Sequence, residues 1–321
     1  MQRHRVLITR QIPSPAAEMI RAGGHDLNPI DADEPLPRAL LLQALRGVSG
    51  VICVLSDRID DEALAAAGPS LRVVSNLAVG FENIDLAACK QRGVRATNTP
   101  DVLTDATAEL AWALILAAAR HVVPGDRLTR GGQWSGWSPT QMRGLELCGS
   151  TLGIVGAGRI GTATALRGVG FGMKLVYAHP RSNPALDAVP GTTRLDLDDV
   201  LRAADVVSLH VPMRPENRHL LDARRLALLQ TGAILINTAR GAVIDEAALV
   251  DVLRRRQIAG AGMDVYEHEP RLASGLAELD NVVLLPHLGS ATIAARERMS
   301  RMAAENVLAV LAGHEPPNAL C

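Results

Sequence analysis

The chain lacks most features that would indicate a secreted, metal-binding or membrane protein. Its four cysteines are scattered, with neither the spacing of a disulfide framework nor that of metal ligands. No apolar stretch precedes the first strand-like residues, 6–9. The most apolar helical stretch, 110–119, is too short and too closely flanked by Glu109 and Arg120 to span a bilayer. We therefore expect a cytoplasmic protein with reduced thiols.

An excess of either charge is also absent. The formal net charge of -1 gives no indication that nucleic acid or an anionic membrane is a partner. Lysine is almost missing, because Lys90 and Lys174 are the only two and arginine supplies the other 31 of the 33 basic residues. This bias weakens any functional argument that depends on a single arginine.

The chain does have the length and apolar content for two domains, with 321 residues and 48% hydrophobic side chains. Short apolar strands alternate with helical patterns in two series, which predicts an α/β fold of two doubly wound parallel sheets. The predicted strands are 6–9, 50–55, 72–76 and 94–97, then 151–155, 174–178, 206–210, 233–237, 260–264 and 282–285. A closing helix, 291–311, has no strand after it. We therefore predict a discontinuous domain, 1–98 plus 288–321, around an inserted domain, 99–287.

A glycine-rich motif follows the buried strand 151–155 and continues into a helical stretch, 160–169. The motif consists of Gly156, Ala157, Gly158, Arg159, Ile160 and Gly161. Gly156 permits a tight turn, Gly158 lets the backbone approach a pyrophosphate, and Gly161 lets the helix pack on the strand. A bare match would be weak in a chain with 28 glycines. The strand before it and the helix after it favour dinucleotide binding over a glycine-rich structural turn.

The next strand, 174–178, ends where NAD-binding proteins carry an acidic residue that accepts hydrogen bonds from the adenosine ribose. This chain has His179, Pro180, Arg181 and Ser182 there. The carboxylate that would repel a 2′-phosphate is absent, and Arg181 offers a bidentate partner for one. The alternative is that Arg181 is a solvated loop arginine. We expect NADP to be the preferred cofactor, with NAD as the alternative.

Three further motifs each follow a strand of the second series. Arg240 lies in Asn-Thr-Ala-Arg-Gly, Glu269 in Tyr-Glu-His-Glu-Pro, and His287 in Pro-His-Leu-Gly-Ser. Parallel sheets place ligands at the carboxyl ends of their strands. We therefore expect these side chains at a cleft between the two domains, where substrate and nicotinamide meet.

These residues fit the reduction of a 2-oxo acid by hydride transfer. Arg240 supplies two directed donors, one for the carbonyl oxygen on which negative charge develops and one for the carboxylate. His287, as imidazolium, gives that oxygen its proton, and in the reverse direction it acts as general base. A carboxylate partner favours the charged imidazole, and Glu269 fits that role.

Each of the three has an ordinary alternative when taken alone. An isolated histidine, a glutamate before proline and an arginine before glycine are most often structural or solvated residues. All three motifs follow the glycine motif in the chain, in the order and spacing of the family named below, and this arrangement favours a catalytic site over three unrelated residues. His268, next to Glu269, is not expected to be the catalyst. Three acidic residues, Asp101, Asp105 and Glu109, have helical spacing that indicates a polar face rather than a metal site.

In these motifs the chain resembles the D-isomer-specific 2-hydroxyacid dehydrogenases, and the resemblance covers essentially its whole length, from residues 76–85 to the Pro-His-Leu-Gly-Ser motif. The resemblance implies a flavodoxin-like substrate domain, an inserted Rossmann dinucleotide-binding domain and a homodimer. Residues 99–109 and 132–139 are most similar to the glyoxylate and hydroxypyruvate reductases. The implied reaction is reduction of such a small 2-oxo acid to the D-2-hydroxy acid by NAD(P)H.

The resemblance also implies individual binding residues. The backbone amides of Val79 and Gly80 would hold the substrate carboxylate, Leu55 and Ser56 would border the pocket, and Trp137 would reach the pocket of the partner subunit. Besides the glycine motif and residues 179–182, the implied cofactor residues are Thr107, His210, Val211, Pro212, Asn217, Thr238, Ala239, Asp264 and Gly289. For Thr107 an ordinary helix threonine is an equal alternative. For Trp137 the alternative is packing within its own chain.

Two kinds of alternative function stay open at this point. The chain could be another member of the family that acts on phosphoglycerate, a sugar acid or phosphite, or it could be a dinucleotide-sensing protein without activity, similar to the family's transcriptional corepressors. The complete set of Arg240, Glu269 and His287 favours an enzyme. Formate dehydrogenase is disfavoured, because that branch has an amide at the position of Glu269.

Overall fold

The computed structural model describes residues 2–321 and divides them into two compact units. Unit 1 extends to Leu103 and resumes at Ser290, and unit 2 is Thr104–Gly289. These divisions lie a few residues beyond those expected from the sequence, at 98 and 287. The reason is local, because a helix of unit 2 begins at Thr104 and the backbone of Gly289 is hydrogen-bonded to Asp264 of the same unit.

Residues 2–321 form twelve strands and twelve α-helices, which are numbered in chain order. The strands are β1 (Arg5–Ile8), β2 (Asp26–Pro29), β3 (Gly50–Cys53), β4 (Val73–Asn76), β5 (Arg95–Thr97), β6 (Thr151–Val155), β7 (Lys174–Ala178), β8 (Thr193–Arg194), β9 (Val206–Leu209), β10 (Ile234–Asn237), β11 (Gly260–Met263) and β12 (Val282–Leu284). The helices are α1 (Ala16–Ala22), α2 (Arg38–Leu45), α3 (Asp61–Ala67), α4 (Leu86–Gln91), α5 (Thr104–Ala119), α6 (Val122–Arg130), α7 (Arg159–Gly170), α8 (Pro184–Asp187), α9 (Leu197–Ala203), α10 (Ala223–Leu226), α11 (Glu246–Arg254) and α12 (Ile293–Leu311).

Unit 1 contains a five-stranded parallel sheet in the order β2-β1-β3-β4-β5. This is the flavodoxin-like strand order, and it confirms the predicted fold. The central strands β3 and β4 are buried throughout, as parallel strands covered on both faces must be. The closing helix α12 packs on this sheet, where Val307 joins Ile52 and Val73 in one apolar cluster. The last helix of the chain therefore belongs to the first unit, as predicted.

Strand β2 was not among the predicted strands. Its sequence, Asp-Leu-Asn-Pro, contains residues that are uncommon in strands, and most of it is exposed. It lies at the edge of the sheet, where Arg5 to Ile8 of β1 supply the pairing. An edge strand needs neither two apolar faces nor a full set of donors, so it leaves little hydrophobic signal.

Unit 2 contains a seven-stranded parallel sheet in the order β12-β11-β10-β9-β6-β7-β8. Counted from β6, this is the Rossmann order 3-2-1-4-5-6 with one further strand, as predicted. Helices α5 and α7 cover one face through Trp112, Ile115 and Ala165. Helices α9 and α11 cover the other face through Leu201 and Leu249. The sheet is therefore packed on both faces, and it gives a rigid support to the loops that follow the carboxyl ends of its strands.

No single helix in residues 2–321 is long and apolar enough to cross a membrane. Helices α5 and α6 meet a criterion of length and composition only when taken together, and they are bent by 64° at their junction. Most of the apolar surface of α5 is used inside unit 2, where Trp112, Leu114 and Ile115 are buried.

Candidate active site

The glycine motif forms the turn between β6 and α7. Gly156 has a φ of +96°, and a side chain there would meet the backbone of His210 at 2.7 Å. A Cβ on Gly161 would lie 2.1 Å from the Gly156 carbonyl oxygen, so helix and turn can approach only without one. A Cβ on Gly158 would have no neighbour within 4 Å. The N-terminus of a twelve-residue helix is therefore open at Gly158, which suits a pyrophosphate.

An open cavity of about 580 Å³ lies beside this turn. Its lining comes from residues 157–159 and Thr162 on one side, and from His179 and residues 181–184 on the other. None of these nine residues is acidic, and two are arginines, Arg159 and Arg181. The cavity therefore has the charge that a phosphorylated adenosine ribose requires.

His179 lines this cavity with an unsatisfied polar atom. Its Nδ1 is buried and has no hydrogen-bond partner. Burial lowers the pKa of His179, and the positive charges of Arg181 and Arg194 lower it further. A buried ring nitrogen without a partner is costly, so this atom fits a role in binding a polar ligand.

Asn183 connects the glycine turn to the turn after β7, and the sequence did not single it out. Its Nδ2 donates to the Ala157 carbonyl at 2.9 Å and to the Thr162 hydroxyl at 2.7 Å. Its backbone N–H donates to the Tyr177 hydroxyl at 3.0 Å. An asparagine before a proline resembles an ordinary helix cap, and Asn183 does cap α8, so nothing in the sequence marks the additional contacts.

The predicted adenosine-side residues after β9 lie in a turn that is held by hydrogen bonds at both ends. The backbone N–H of His210 donates to the Val155 carbonyl at 2.7 Å, and its ring Nε2 lies 2.9 Å from the Ser208 hydroxyl. Burial lowers the pKa of His210 to about 3, so the ring is neutral. Asn217 donates to the Pro212 carbonyl at 2.8 Å, which fixes the segment that includes Val211.

Three of the four predicted nicotinamide-side residues, Thr238, Asp264 and Gly289, follow β10, β11 and β12, and the fourth, Thr107, lies on α5. Asp264 is fully buried, and its carboxylate accepts from the Leu288 and Gly289 amides at 2.7 and 2.8 Å. Burial raises the pKa of Asp264 against these hydrogen bonds. Thr107, on α5, donates to the Gly289 carbonyl at 3.0 Å and so joins that helix to the loop after β12. The Thr238 hydroxyl is buried without a partner, which suits a contact with a ribose.

Asn237 builds the turn that carries Arg240. Its side chain accepts from the Ala239 amide at 3.0 Å and donates to the Arg240 carbonyl at 2.9 Å. A Cβ on the next residue, Gly241, would lie 1.8 Å from the Tyr266 carbonyl carbon. The turn can therefore pass this point only with glycine, and both contacts fix where the Arg240 side chain begins.

His287 and Glu269 form a hydrogen-bonded pair, as expected. Nδ1 of His287 lies 2.8 Å from Oε2 of Glu269, and Oε1 of Glu269 accepts from the Tyr266 amide at 3.0 Å. Burial raises the pKa of Glu269, but the His287 hydrogen bond and the charges of His287 and Arg240 outweigh burial and leave it lowered. The carboxylate is therefore ionised at neutral pH. Because Nδ1 is engaged, Nε2 is the ring nitrogen that can exchange a proton with a substrate.

The backbone of His287 has an unusual conformation. Its φ of +57° is in the left-handed region, and its N–H donates to the Asp264 carbonyl at 2.9 Å. His268, which precedes Glu269 in the sequence, is exposed and takes no part in the hydrogen bond between Glu269 and His287. Arg240, Glu269 and His287 thus all belong to unit 2, on loops that follow β10, β11 and β12.

The predicted substrate residues Leu55, Ser56, Val79 and Gly80 belong to unit 1, after β3 and β4. Two asparagines hold the second loop, because Asn98 donates to the Val79 carbonyl and Asn76 to the Gly80 carbonyl, both at 2.7 Å. In the first loop, Arg10 donates to the Ser56 hydroxyl at 2.6 Å. These supporting contacts were not predicted, because nothing in the sequence pattern marks which carbonyl or hydroxyl group a polar side chain will reach.

Trp137 is 82% exposed and Trp134 is 55% exposed. They lie between α6 and β6 in a segment without helix or strand. The alternative that Trp137 packs within its own chain is therefore wrong for this chain taken alone. Large exposed aromatic side chains of this kind are typical of a surface that contacts a partner.

Comparisons with known proteins relate both units to a common group. A family model described as "D-isomer specific 2-hydroxyacid dehydrogenase, NAD binding domain" matches residues 112–289. A glyoxylate reductase from Thermococcus litoralis is 44% identical over 318 residues, which span 98% of this chain and 96% of the relative. The crystal structure of the TT0316 protein from Thermus thermophilus has a TM-score of 0.93 at 46% identity, covering 99% of this chain and 100% of that one. An NADPH-dependent glyoxylate/hydroxypyruvate reductase from Sinorhizobium meliloti, in complex with NADP and malonate, has a TM-score of 0.86 at 31% identity, covering 100% of this chain and 97% of that one.

Proposed function

Because the chain belongs to the D-isomer specific 2-hydroxyacid dehydrogenase family and is an NAD(P)-dependent oxidoreductase that reduces 2-oxo acids, we propose that its substrates are glyoxylate and hydroxypyruvate and that it prefers NADPH. The observation that carries this proposal is the presence in unit 2 of Arg240 and the Glu269–His287 pair together with the open glycine turn. The name of the Thermococcus litoralis relative supports the substrate class.

A reduced nicotinamide dinucleotide, when bound at the glycine turn, supplies the hydride for this reaction. Arg240 binds the substrate carboxylate and stabilises the negative charge that develops on the carbonyl oxygen. His287 donates a proton from Nε2 to that oxygen, which completes the hydroxyl group. Glu269 orients the ring through Nδ1 and stabilises the imidazolium before transfer. In oxidation the same Nε2 accepts the hydroxyl proton.

The proposed preference for NADPH rests on the cavity beside the turn after β7. It contains Arg181 and no carboxylate that would repel a 2′-phosphate. The exposed guanidinium of Arg181 can donate two parallel hydrogen bonds to a phosphate, which a histidine or serine cannot do. The NADP complex of the Sinorhizobium meliloti structure is consistent with this reading.

A panel of 2-oxo acids tests the proposed function directly. Purified protein is given glyoxylate, hydroxypyruvate, pyruvate and phosphohydroxypyruvate, each with NADPH and with NADH, and loss of reduced-nicotinamide absorbance is followed. We expect the largest kcat/KM for glyoxylate or hydroxypyruvate with NADPH. Faster turnover of phosphohydroxypyruvate would assign the chain to phosphoglycerate instead, and turnover of phosphite with the oxidised cofactor would assign it to that substrate.

Replacing Glu269 with glutamine should shift the pH profile of reduction toward acid. The glutamine amide carries no charge, so the electrostatic support that the Glu269 carboxylate gives to the protonated form of the pair is lost, and the rate of reduction should fall at a lower pH. We expect a shift of about one pH unit or less, because both side chains of the pair are about one-third exposed and solvent screens it. The measurement is kcat/KM for glyoxylate against pH. The exposed Glu278 is the control, and an unshifted profile in Glu269→Gln would reject the coupling.

We also propose that the enzyme is a homodimer in which Trp137 reaches the substrate pocket of the partner subunit. Sedimentation should give a dimer, and Trp137→Ala should change the ratio of kcat/KM between glyoxylate and bulkier 2-oxo acids. Ile293→Ala is the matched control, because Ile293 is also 82% exposed but lies on α12 of unit 1. A monomer, or a Trp137 variant with an unchanged substrate profile, would contradict the shared pocket.

A further inference from the structure

The turn after β7 is held at its upstream end by a residue of another strand. Arg194, in the two-residue edge strand β8, donates from Nε to the His179 carbonyl at 3.0 Å and from Nη2 to the Pro180 carbonyl at 2.8 Å. The backbone of β8 is itself paired with β7, since Tyr177 lies opposite Arg194. One planar guanidinium thus fixes two consecutive carbonyl groups.

The downstream end of the same turn is held by Asn183. Its backbone N–H donates to the Tyr177 hydroxyl at 3.0 Å, and that hydroxyl donates to the Asp187 carboxylate at 2.5 Å. Its side chain also reaches the glycine turn, as described above. Only Arg181 and Ser182 lie between the two fixed points, and both are exposed at the cavity.

This arrangement has consequences for a ligand of the cavity. Two guanidinium groups, those of Arg181 and Arg194, are close enough to His179 to affect its charge state. The buried Nδ1 of His179 has no partner. A dianionic phosphate group at this point would offset the two positive charges. A turn that is already ordered before binding also loses less conformational entropy when the phosphate arrives.

We propose that Arg194 is a positioning residue for the 2′-phosphate of NADP, which it serves by holding the His179 and Pro180 carbonyls so that Arg181 and Ser182 face the phosphate. This inference rests on the proposed preference for NADPH. Arginine suits this position because its planar fork holds Nε and Nη2 in a fixed geometry toward two carbonyls, whereas a lysine ammonium carries its donors on a flexible stem and fixes neither carbonyl as well. In this proposal the pairing of the short strand β8 with β7 places Arg194 beside the end of β7.

Calorimetric binding of two probes to the full chain tests this role without any turnover. Adenosine 2′,5′-bisphosphate carries the 2′-phosphate, and 5′-AMP lacks it. We expect Arg194→Met and Arg194→Lys each to weaken the bisphosphate by about fivefold to tenfold, as loss of one or two exposed hydrogen bonds predicts. Binding of 5′-AMP should stay within about twofold of wild type, which also shows that the variants are folded. Arg202→Met, at an exposed arginine of α9 paired with Asp199, should leave both probes unchanged.

Asn183→Ala provides a contrast, because Asn183 also supports the glycine turn and its loss should weaken both probes. Wild-type affinity for the bisphosphate in Arg194→Met, or equal losses for the two probes, would overturn the positioning role. Full affinity in Arg194→Lys with loss in Arg194→Met would also overturn it, because charge alone would then be sufficient. A wild-type protein that binds both probes equally would overturn the NADPH preference itself, and this inference with it, before any variant is compared.

Discussion

His287→Ala should lower kcat for glyoxylate reduction by about a hundredfold or more, which is the usual contribution of general acid catalysis. The variant retains Arg240 and the glycine turn, so substrate and dinucleotide should still bind. Water can reach the vacated position, because His287 is only partly buried, and a slow residual rate is therefore expected. Steady-state kinetics give kcat and KM, and quenching of intrinsic tryptophan fluorescence by NADPH gives cofactor binding.

His268→Ala is the matched control for this experiment. His268 is also a histidine on a loop of unit 2, next to Glu269 in sequence, but it is exposed and outside the hydrogen-bonded pair. It should keep near-native rates. Arg240→Ala should lose activity to a similar extent as His287→Ala, with a larger increase in KM because the substrate carboxylate loses its partner. Near-native kcat in either His287→Ala or Arg240→Ala would remove that residue from the mechanism.

The fold could be predicted where strands are buried on both faces. β3, β4, β6, β9 and β10 are buried along almost their whole length, and the sequence located the ends of each to within two residues. The two strands that were missed, β2 and β8, are at sheet edges and are largely exposed. A hydrophobic pattern in the sequence indicates burial, so a strand that is largely exposed gives no such pattern and is not predicted.

In the candidate site, residues of recognisable motifs could be predicted, but the residues that hold them in place could not. The Glu269–His287 hydrogen bond and the open glycine turn were expected from motifs that can be recognised along the chain. Asn183, Asn237 and Arg194 were not expected, although each holds a predicted residue in place. Their partners are backbone carbonyls and amides, which carry no sequence signature. Only the folded chain shows which carbonyl groups lie within reach of a side chain.

Arg181→Ala should raise KM for NADPH by about tenfold to a hundredfold and leave KM for NADH nearly unchanged. The side chain is exposed at the cavity, so the expected loss is that of a charged hydrogen-bonded pair partly open to solvent. The kcat with saturating NADPH should change little, because the 2′-phosphate is remote from the transferred hydride. The measurement is the full set of kcat and KM values with each cofactor at constant glyoxylate and ionic strength.

The substitution His179→Asp tests the same cofactor preference in the converse way, by adding a negative charge instead of removing a positive one. It places a carboxylate at the end of β7, where it can accept hydrogen bonds from the ribose of NADH and repel a 2′-phosphate. The ratio of kcat/KM for NADPH to that for NADH should fall in both variants, through loss of attraction in Arg181→Ala and through added repulsion in His179→Asp. Arg202→Ala, an exposed arginine of α9, controls for a general loss of positive charge in unit 2. If the wild-type enzyme already favours NADH, the premise is wrong. If Arg181→Ala weakens both cofactors equally, Arg181 supports the turn and does not contact the phosphate.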